Sequence, residues 1–208
     1  MEIQSHNSIV VLTFSEGAGY PRLTRELLDE LGDLLTSIPR EGLFRGVVIA
    51  ANAVSFVIGA DVEEIECLRG AEARVFAQKG QSLFGRIASY PLAVVAAIRG
   101  YCLGGGLDLA LACHSRVATY DSSFGHPGGS LGLLTGWGGT QRLPRLIGKA
   151  QALQMLLTGD RVPATQALTL GLVDELVASQ DLVEAAVRRA ELAATLPHRA
   201  SPGSKSIY

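Results

Sequence analysis

The chain has 208 residues, the length of one globular domain or at most two small ones. Hydrophobic residues make up 48% and charged residues 18%, which is typical of a folded domain and excludes a disordered chain. The formal net charge is -2 and no block of lysine or arginine stands out, so a nucleic-acid partner is not expected.

The apolar stretches of the chain are short. Residues 91–98 are followed by Arg99, and residues 107–113 contain Asp108, so neither approaches the roughly 18 uninterrupted apolar residues of a membrane span. The N-terminus, MEIQSHNSIV, lacks a basic start followed by an apolar run, so the sequence predicts no secretory signal. We therefore expect a cytoplasmic protein without a membrane partner.

The cysteines give no sign of a disulfide framework or a zinc site. The chain has three, Cys67, Cys102 and Cys113, and no pair has CxxC spacing. An odd number at such spacing favours reduced, buried thiols. No metal is therefore expected.

The first ninety residues predict short apolar strands alternating with helices. In chain order, these are a strand at 9–14, a helix at 22–38, a strand at 46–51, an extended piece at 55–60 and helices at 61–69 and 71–88. Pro39 is expected to end the first helix. Asp61, followed three residues later by Glu64, is typical of a capped helix start.

The rest of the chain continues the alternation. In chain order, the predicted elements are a strand at 92–98, a buried helix at 107–113, a strand at 115–120, a glycine-rich loop at 124–137, a helix beginning near 138–140, helices at 150–157 and 163–170, a strand at 172–177 and a helix at 181–196. Alternating elements predict one α/β domain over residues 1–196, with mainly parallel strands. The polar tail at 197–208 is expected to be frayed.

Two strand-to-helix junctions carry the chemical signal. They are SFVIGADVEEI at 55–65 and AAIRGYCLGGGLDLALAC at 96–113. Each helix start leaves backbone N–H groups unpaired, and the helix dipole there favours negative charge. Two such ends that face each other could hold an oxyanion. Taken singly, each junction is more often an ordinary strand-to-helix turn.

Together and at this spacing, the junctions resemble those of the enoyl-CoA hydratase/isomerase (crotonase) family. The resemblance covers about residues 45–177 and includes SSFGHPGGSLGLLTGWGGTQRLPRLIG at 122–148. It implies an α/β fold built as a spiral of ββα turns with short flanking helices. The further C-terminal helices of typical members are expected to be truncated here. The family usually assembles as trimers or pairs of trimers, so a homo-oligomer is expected.

The resemblance also implies roles for particular residues. The backbone N–H groups of Ala60 and Gly105 would form an oxyanion hole for a thioester carbonyl. The expected partner is an acyl-CoA substrate, so coenzyme A enters as part of the substrate and no separate cofactor is implied. The expected substrate-binding residues are Ile58, Asp61, Val62, Gly104, Gly128, Thr135 and Trp137.

The two hydratase acids are both altered in this chain. Asp108 stands where hydratases have a first glutamate, and Gly128 stands at the second glutamate's place. A hydratase uses this pair to activate water and to protonate the α-carbon. Asp108 is a candidate catalytic residue, and it could equally be a helix-start carboxylate stabilised by the dipole. Aspartate here also resembles the dienoyl-CoA isomerase branch, whose other acids correspond to Gly128 and Gly136.

His126 is the candidate replacement for the missing acid. It lies two residues before Gly128, and extended backbone before Pro127 would point both the same way. A histidine near its ordinary pKa could exchange protons, and it could equally be a packing residue. The chain also resembles the dihydroxynaphthoyl-CoA synthase branch. That branch has glycine at the position of Gly128, where a bound bicarbonate supplies the missing carboxylate, and it has a "GWG" like that at Trp137. The catalytic aspartate of that branch corresponds to Thr135.

Three functions stay open at the level of sequence. The first is an enoyl-CoA hydratase or isomerase that uses Asp108 and His126. The second is another reaction of the same scaffold, such as C–C bond hydrolysis, decarboxylation or ring closure. The third is a non-catalytic acyl-CoA-binding or assembly subunit. The family's usual N-terminal "NRPxxxNA" region is replaced by SEGAGYPRLT at 15–24, so contacts to the CoA 3′-phosphate cannot be assigned.

Overall fold

The computed structural model describes residues 1–14, 19–51 and 55–195, and within these ranges it contains nine strands and eight α-helices. The strands are β1 (Glu2–His6), β2 (Ile9–Phe14), β3 (Gly46–Ala51), β4 (Ala93–Ile98), β5 (Tyr101–Leu103), β6 (Ser115–Thr119), β7 (Ser123–Gly125), β8 (Val162–Pro163) and β9 (Glu175–Val177). The α-helices are α1 (Arg25–Glu41), α2 (Val62–Cys67), α3 (Ala71–Ala88), α4 (Gly105–Ala112), α5 (Gly139–Ile147), α6 (Lys149–Thr158), α7 (Ala164–Thr169) and α8 (Leu182–Thr195).

The strands form two sheets. The larger has the order β1-β2-β3-β4-β6-β9, in which β1 is antiparallel to β2 and every other pair is parallel. The smaller has the order β5-β7-β8. After β4 and again after β6, the chain places its next strand in the small sheet and then enters a helical turn. This is the ββα turn expected from the resemblance, and the prediction of an α/β fold with mainly parallel strands is confirmed.

The central strands β2, β3 and β4 of the large sheet are buried on both faces, which explains their continuous apolar sequences. Alternate residues of β2, β3 and β4 point to opposite sides, as the two-residue period of a strand requires. Val10 and Leu12 join the core shared with α1, α3 and α4, whereas Ile9 and Val11 pack with α8. The first core leads directly to the cavity described below.

The proline in α1 does not end the helix, so that prediction was wrong. The helix starts after Thr24, whose hydroxyl accepts the N–H of Leu27, and continues past Pro39 to a left-handed Gly42. A proline lacks the N–H that would bond to the carbonyl four residues earlier. Here that carbonyl belongs to Leu35, and it instead accepts the buried hydroxyl of Tyr90 at 2.7 Å.

Several short elements also differ from the predictions. Residues 55–60 form no regular strand, although they exchange backbone hydrogen bonds with neighbouring segments and form an isolated bridge between Leu23 and Ala60. Strand β9 is shorter than the predicted strand at 172–177. The N-terminal strand β1 and the short strands β5, β7 and β8 were not predicted. Strands of two or three residues are too short to show a period-two pattern.

The cysteines and the helices of the described residues test two further predictions. Cys102 and Cys113 are buried and unpaired as expected, whereas Cys67 is exposed, which corrects the prediction of three buried thiols. Across the part of the chain that the structure describes, no helix is long and apolar enough to cross a membrane. The predictions for residues 15–18, for the last residue of the 181–196 helix and for the tail at 197–208 lie outside the described residues.

Candidate active site

A mostly apolar cavity of about 380 Å³ opens between α2, α3, the start of α4 and the segment 126–137. Both strand-to-helix junctions singled out in the sequence contribute to its wall. Three side chains bring polar groups to it: Asp108, His126 and Thr135. An apolar cavity with a few convergent polar groups is the usual form of a small-molecule site.

The two junctions approach each other through glycines. Gly59 has φ of 130° and Gly104 has φ of 51°, and a Cβ on Gly104 would lie 3.6 Å from the Cα of Gly59. This contact brings the first residue of α4, Gly105, beside Ala60, because a Cβ on Gly105 would lie 3.3 Å from the Ala60 nitrogen. Neither the Ala60 N–H nor the Gly105 N–H donates a hydrogen bond to any described residue. Two available donors therefore lie side by side at the cavity wall.

Two of the three glycines are needed because neighbouring groups crowd them. A Cβ on Gly106 would lie 2.7 Å from the carbonyl carbon of Val57, and one on Gly105 would lie 2.6 Å from the indole of Trp137. Trp137 is itself held between Phe76 and Phe84, with ring centroids 5.2 and 5.6 Å away. The indole therefore packs directly against the start of α4, next to the first junction.

Asp108 is buried in the first turn of α4, with 1% of its surface exposed. Its Oδ2 accepts the hydroxyl of Thr135 and the backbone N–H of Trp137, the latter at 3.2 Å. Its Oδ1 lies 3.6 Å from Nε2 of His126. Burial raises the pKa of Asp108 from 3.8 to about 6, against the lowering effects of Thr135, the Trp137 N–H, the charge of Arg142 and the Gly139 N–H.

His126 is buried at the end of β7, where it faces Asp108. Burial lowers its pKa to about 4, so the ring is neutral at pH 7. Neither ring nitrogen has a hydrogen-bond partner among the described residues. A Cβ on Gly139 would collide with Oδ1 of Asp108 and lie 3.0 Å from Nε2 of His126. The glycine therefore leaves the space in which the pair meets.

The backbone argument that linked His126 to Gly128 was wrong, although both residues line the cavity. Pro127–Leu131 forms a 3-10 helix, so the two side-chain directions do not follow the alternation of an extended strand. His126 instead reaches Asp108 because β7 ends beside the start of α4, where the Gly104 N–H donates to the Gly125 carbonyl at 2.9 Å.

The predicted substrate-binding residues fall into two groups. All but one of them lie at the cavity wall, namely Ile58, Val62, Gly104, Gly128, Thr135 and Trp137. The exception is Asp61, whose carboxylate caps α2 by accepting the N–H of Glu64 at 3.1 Å and lies 3.7 Å from Arg22. Their contacts with a substrate stay predictions.

Sequence reasoning missed the contribution of α3 and of Arg142. Ala73 and Ala77 line the cavity, and with Gly80 they place small residues at helical spacing on one face of α3, a signal that could have been noticed. Arg142 is buried in α5, donates to the carbonyl of Trp137 at 3.0 Å and lies close enough for its charge to act on Asp108. Among the described residues, no group of His, Cys, Asp or Glu side chains could hold a metal ion.

The ββα turns, the paired glycine junctions and the apolar cavity together define a protein of the crotonase class. The sequence model of the enoyl-CoA hydratase/isomerase family matches residues 4–205. The chain therefore belongs to the enoyl-CoA hydratase/isomerase family.

Solved structures agree with this assignment. DspI of Pseudomonas aeruginosa is 31% identical with a TM-score of 0.88, and the match covers 94% of this chain and 80% of that one. An enoyl-CoA hydratase from Bacillus anthracis is 33% identical with a TM-score of 0.88, covering 94% and 76%. One from Thermoplasma volcanium is 30% identical with a TM-score of 0.87, covering 94% and 77%.

Two glycines of α3 provide a test of the packing around Trp137. A Cβ on Gly80 would collide with the indole, whereas one on Gly85 meets nothing within 4 Å. We expect Gly80→Ala to lower the free energy of unfolding by about 1 to 3 kcal/mol through overpacking. Gly85→Ala should raise it by about 0.5 to 1 kcal/mol through lower chain entropy. Chemical denaturation of both variants checks this, and equal effects would contradict the assigned position of the indole.

Proposed function

We propose that the protein binds an acyl-CoA thioester, stabilises its enolate at the N–H groups of Ala60 and Gly105, and moves protons through Asp108 with His126. The observation that carries this proposal is the 3.6 Å separation of Asp108 Oδ1 and His126 Nε2. The pair lies in the same cavity as the two N–H groups. Donors and proton-transfer groups are thus available to one bound substrate.

The chemistry of a thioester needs this combination. Removing a proton from the α-carbon, or adding water to an enoyl thioester, builds negative charge on the thioester oxygen. Preorganised N–H donors stabilise that charge, and the loss of one typically costs about 2.7 to 4 kcal/mol. Because Asp108 has a pKa of about 6, it is mostly ionised at pH 7 and can accept a proton and return it.

Hydration requires in addition a bound water. A water that reaches both Asp108 Oδ1 and His126 Nε2, two buried atoms 3.6 Å apart at the cavity wall, would meet this requirement. In this arrangement Asp108 accepts a proton from the water, and neutral His126 orients the water. His126 would then perform part of the work that a glutamate at Gly128 performs in typical hydratases.

The comparisons support the substrate class. Two of the similar structures are titled enoyl-CoA hydratases, and the family match covers nearly the whole chain. We extend the proposal to a homo-oligomer, as a trimer or pair of trimers. It is supported by exposed apolar side chains, Leu153 and Leu157 on one face of α6 and Leu134 beside the cavity.

A second candidate is enolate chemistry without hydration, such as movement of a double bond. It is favoured by the glycine at position 128, because Asp108 is the only carboxylate among the described residues that line the cavity. One base that removes and returns a proton suffices for such a shift.

Incubation with crotonyl-CoA in heavy water, followed by mass spectrometry, separates these functions. Addition of one heavy water with a carbon-bound deuteron would support hydration, whereas deuterium in unhydrated substrate would support proton transfer alone. The control is Asp108→Asn, which should abolish both signals. Binding of crotonyl-CoA without either signal at high enzyme concentration would contradict hydratase action on this substrate.

A further inference from the structure

The two oxygens of the Asp108 carboxylate have different surroundings. Oδ2 accepts two hydrogen bonds from the 135–137 segment, one from the Thr135 hydroxyl and one from the Trp137 N–H. Oδ1 lies 3.6 Å from Nε2 of His126 and beside Gly139, whose backbone N–H lowers the pKa of the carboxyl. One oxygen is therefore held by two hydrogen bonds from the 135–137 segment, whereas the other, which is also buried, faces His126.

We infer that Thr135 is a positioning residue, which with the Trp137 N–H holds Oδ2 of Asp108 so that Oδ1 is the oxygen that exchanges protons. This inference rests on the proposed function, in which Asp108 moves the proton. It gives Thr135 a role different from substrate contact, although the residue also lies at the cavity wall.

A short acidic side chain makes this arrangement necessary. Aspartate reaches about one methylene less far than glutamate, roughly 1.5 Å. Its carboxylate must therefore be aimed well, because a misplacement of about 1 Å can cost on the order of a hundredfold in rate. Without the Thr135 hydroxyl, one N–H would be left on Oδ2 and the carboxylate could turn about its terminal torsion, which is broad and weakly restrained.

The titratable and charged groups around Asp108 determine which residue a pH titration of the site detects. The titratable or charged groups that face it are His126 after β7, Arg142 of α5 and Cys102 of β5. Burial raises the pKa of Cys102 well above its ordinary value, so this thiol stays neutral. His126 is neutral above about pH 4. A transition near pH 6 at this site therefore belongs to Asp108, whose pKa is raised by burial to about 6.

The protein contains its own reporter of this transition. Trp137 is the only tryptophan of the chain, and its backbone N–H is bonded to the carboxylate. We expect its fluorescence to titrate with a midpoint near pH 6 in the unaltered protein and to lose this transition in Asp108→Asn. Thr135→Val removes one hydrogen bond to the ionised carboxylate, so the midpoint should rise by about one pH unit. Thr135→Ser keeps the hydroxyl and should keep the midpoint.

The same variants test the consequence for turnover. In Thr135→Val, the acid limb of the pH–rate profile should move upward with the fluorescence midpoint. If the pKa rises by about one unit, the rate at pH 6 falls about fivefold from the lost ionised fraction alone. Thr135→Ser should restore the limb. Circular dichroism melts verify folding, and Thr135→Ala replaces the valine variant if that variant does not fold.

The outcomes separate this inference from the proposed function. A fluorescence midpoint that does not move in Thr135→Val or Thr135→Ala would overturn the positioning role, whether or not the protein turns over crotonyl-CoA. A midpoint that moves and is restored by serine would support the hold on Oδ2 even if no acyl-CoA is converted. In that case it is the proposed reaction that fails.

Discussion

Asp108→Asn is expected to lower turnover by about a hundred- to ten-thousand-fold, the usual contribution of a general acid or base. Asparagine keeps the shape and can still accept from Thr135 and the Trp137 N–H through its carbonyl oxygen. It cannot accept a proton from the substrate. Deuterium incorporation into crotonyl-CoA and steady-state turnover measure the loss, and wild-type exchange by this variant would contradict the assigned role.

The same substitution should stabilise the fold at pH 7. The pKa of Asp108 is about 6 in the folded chain against an ordinary 3.8, so the ionised carboxylate destabilises the folded state. Two pKa units correspond to about 3 kcal/mol, which is the upper limit of the gain from asparagine. This gain is fully present above pH 6 and disappears as pH falls toward 3.8, where the carboxyl is protonated in both states.

The contribution of His126 to folding stability changes with pH in the direction opposite to that of Asp108. Its pKa is lowered by burial to about 4, so between pH 6.5 and 4 the unfolded chain binds a proton that the folded chain does not. Stability is therefore lost as pH falls through this window, while Asp108 recovers stability in nearly the same one. Because the two contributions have opposite signs over nearly the same pH window, the pair gives a nearly flat profile, and Asp108→Asn should expose a loss of stability in acid.

Denaturant unfolding at pH 7 and pH 5 measures both effects. A matched control is Asp33→Asn, since Asp33 is exposed on α1 and should change the free energy of unfolding by no more than about 0.5 kcal/mol. Lower stability of Asp108→Asn at pH 7 would contradict the destabilising carboxylate. Such a result would instead favour a helix-start carboxylate with a structural role.

The sequence predicted the parts of the site that depend on the backbone. Gly104 adopts a positive φ and Gly106 lies against another backbone, so both need glycine and leave a visible signal. The apolar strand β2 and the amphipathic helix α3 were predicted with their observed bounds because their hydrophobic patterns are local. The helix end predicted at Pro39 was wrong because the carbonyl that loses its N–H partner, that of Leu35, accepts the hydroxyl of Tyr90, which is distant in the sequence.

The side-chain chemistry depended on contacts that no spacing reveals. Asp108 and His126 are 18 positions apart, and their meeting depends on the pairing of β5 with β7 and on the space left by Gly139. The hydroxyl of Thr135 and the charge of Arg142 act on the same carboxylate from two further parts of the chain. A pKa set by burial and by such neighbours requires the folded structure.

The other large effect is expected from Gly106→Ala. At an ordinary helix position, alanine would stabilise by about 0.5 to 1 kcal/mol relative to glycine. Here the new Cβ would lie 2.7 Å from the carbonyl carbon of Val57 and 2.8 Å from its Cβ, atoms that no side-chain rotation can move away. That carbonyl also accepts the N–H of Leu103 at 3.0 Å. The start of α4 must therefore shift away from the first junction.

This shift should separate the two proposed oxyanion donors, because Ala60 lies three residues after Val57 and Gly105 directly precedes the substitution. We expect turnover to fall by about a hundred- to a thousandfold, as when one oxyanion donor is lost. The free energy of unfolding should fall by about 1 to 3 kcal/mol. Turnover of crotonyl-CoA and chemical denaturation measure the two effects.

Gly85→Ala is the matched control, since it adds the same methyl group to a helix with open space around it. The fluorescence titration of Trp137 shows whether Asp108 keeps its surroundings in Gly106→Ala. If the titration is unchanged while turnover falls strongly, the loss arises at the N–H donors of Ala60 and Gly105 and not at Asp108. Wild-type turnover in a folded Gly106→Ala protein would contradict them, because an oxyanion hole built from two helix starts cannot tolerate their separation.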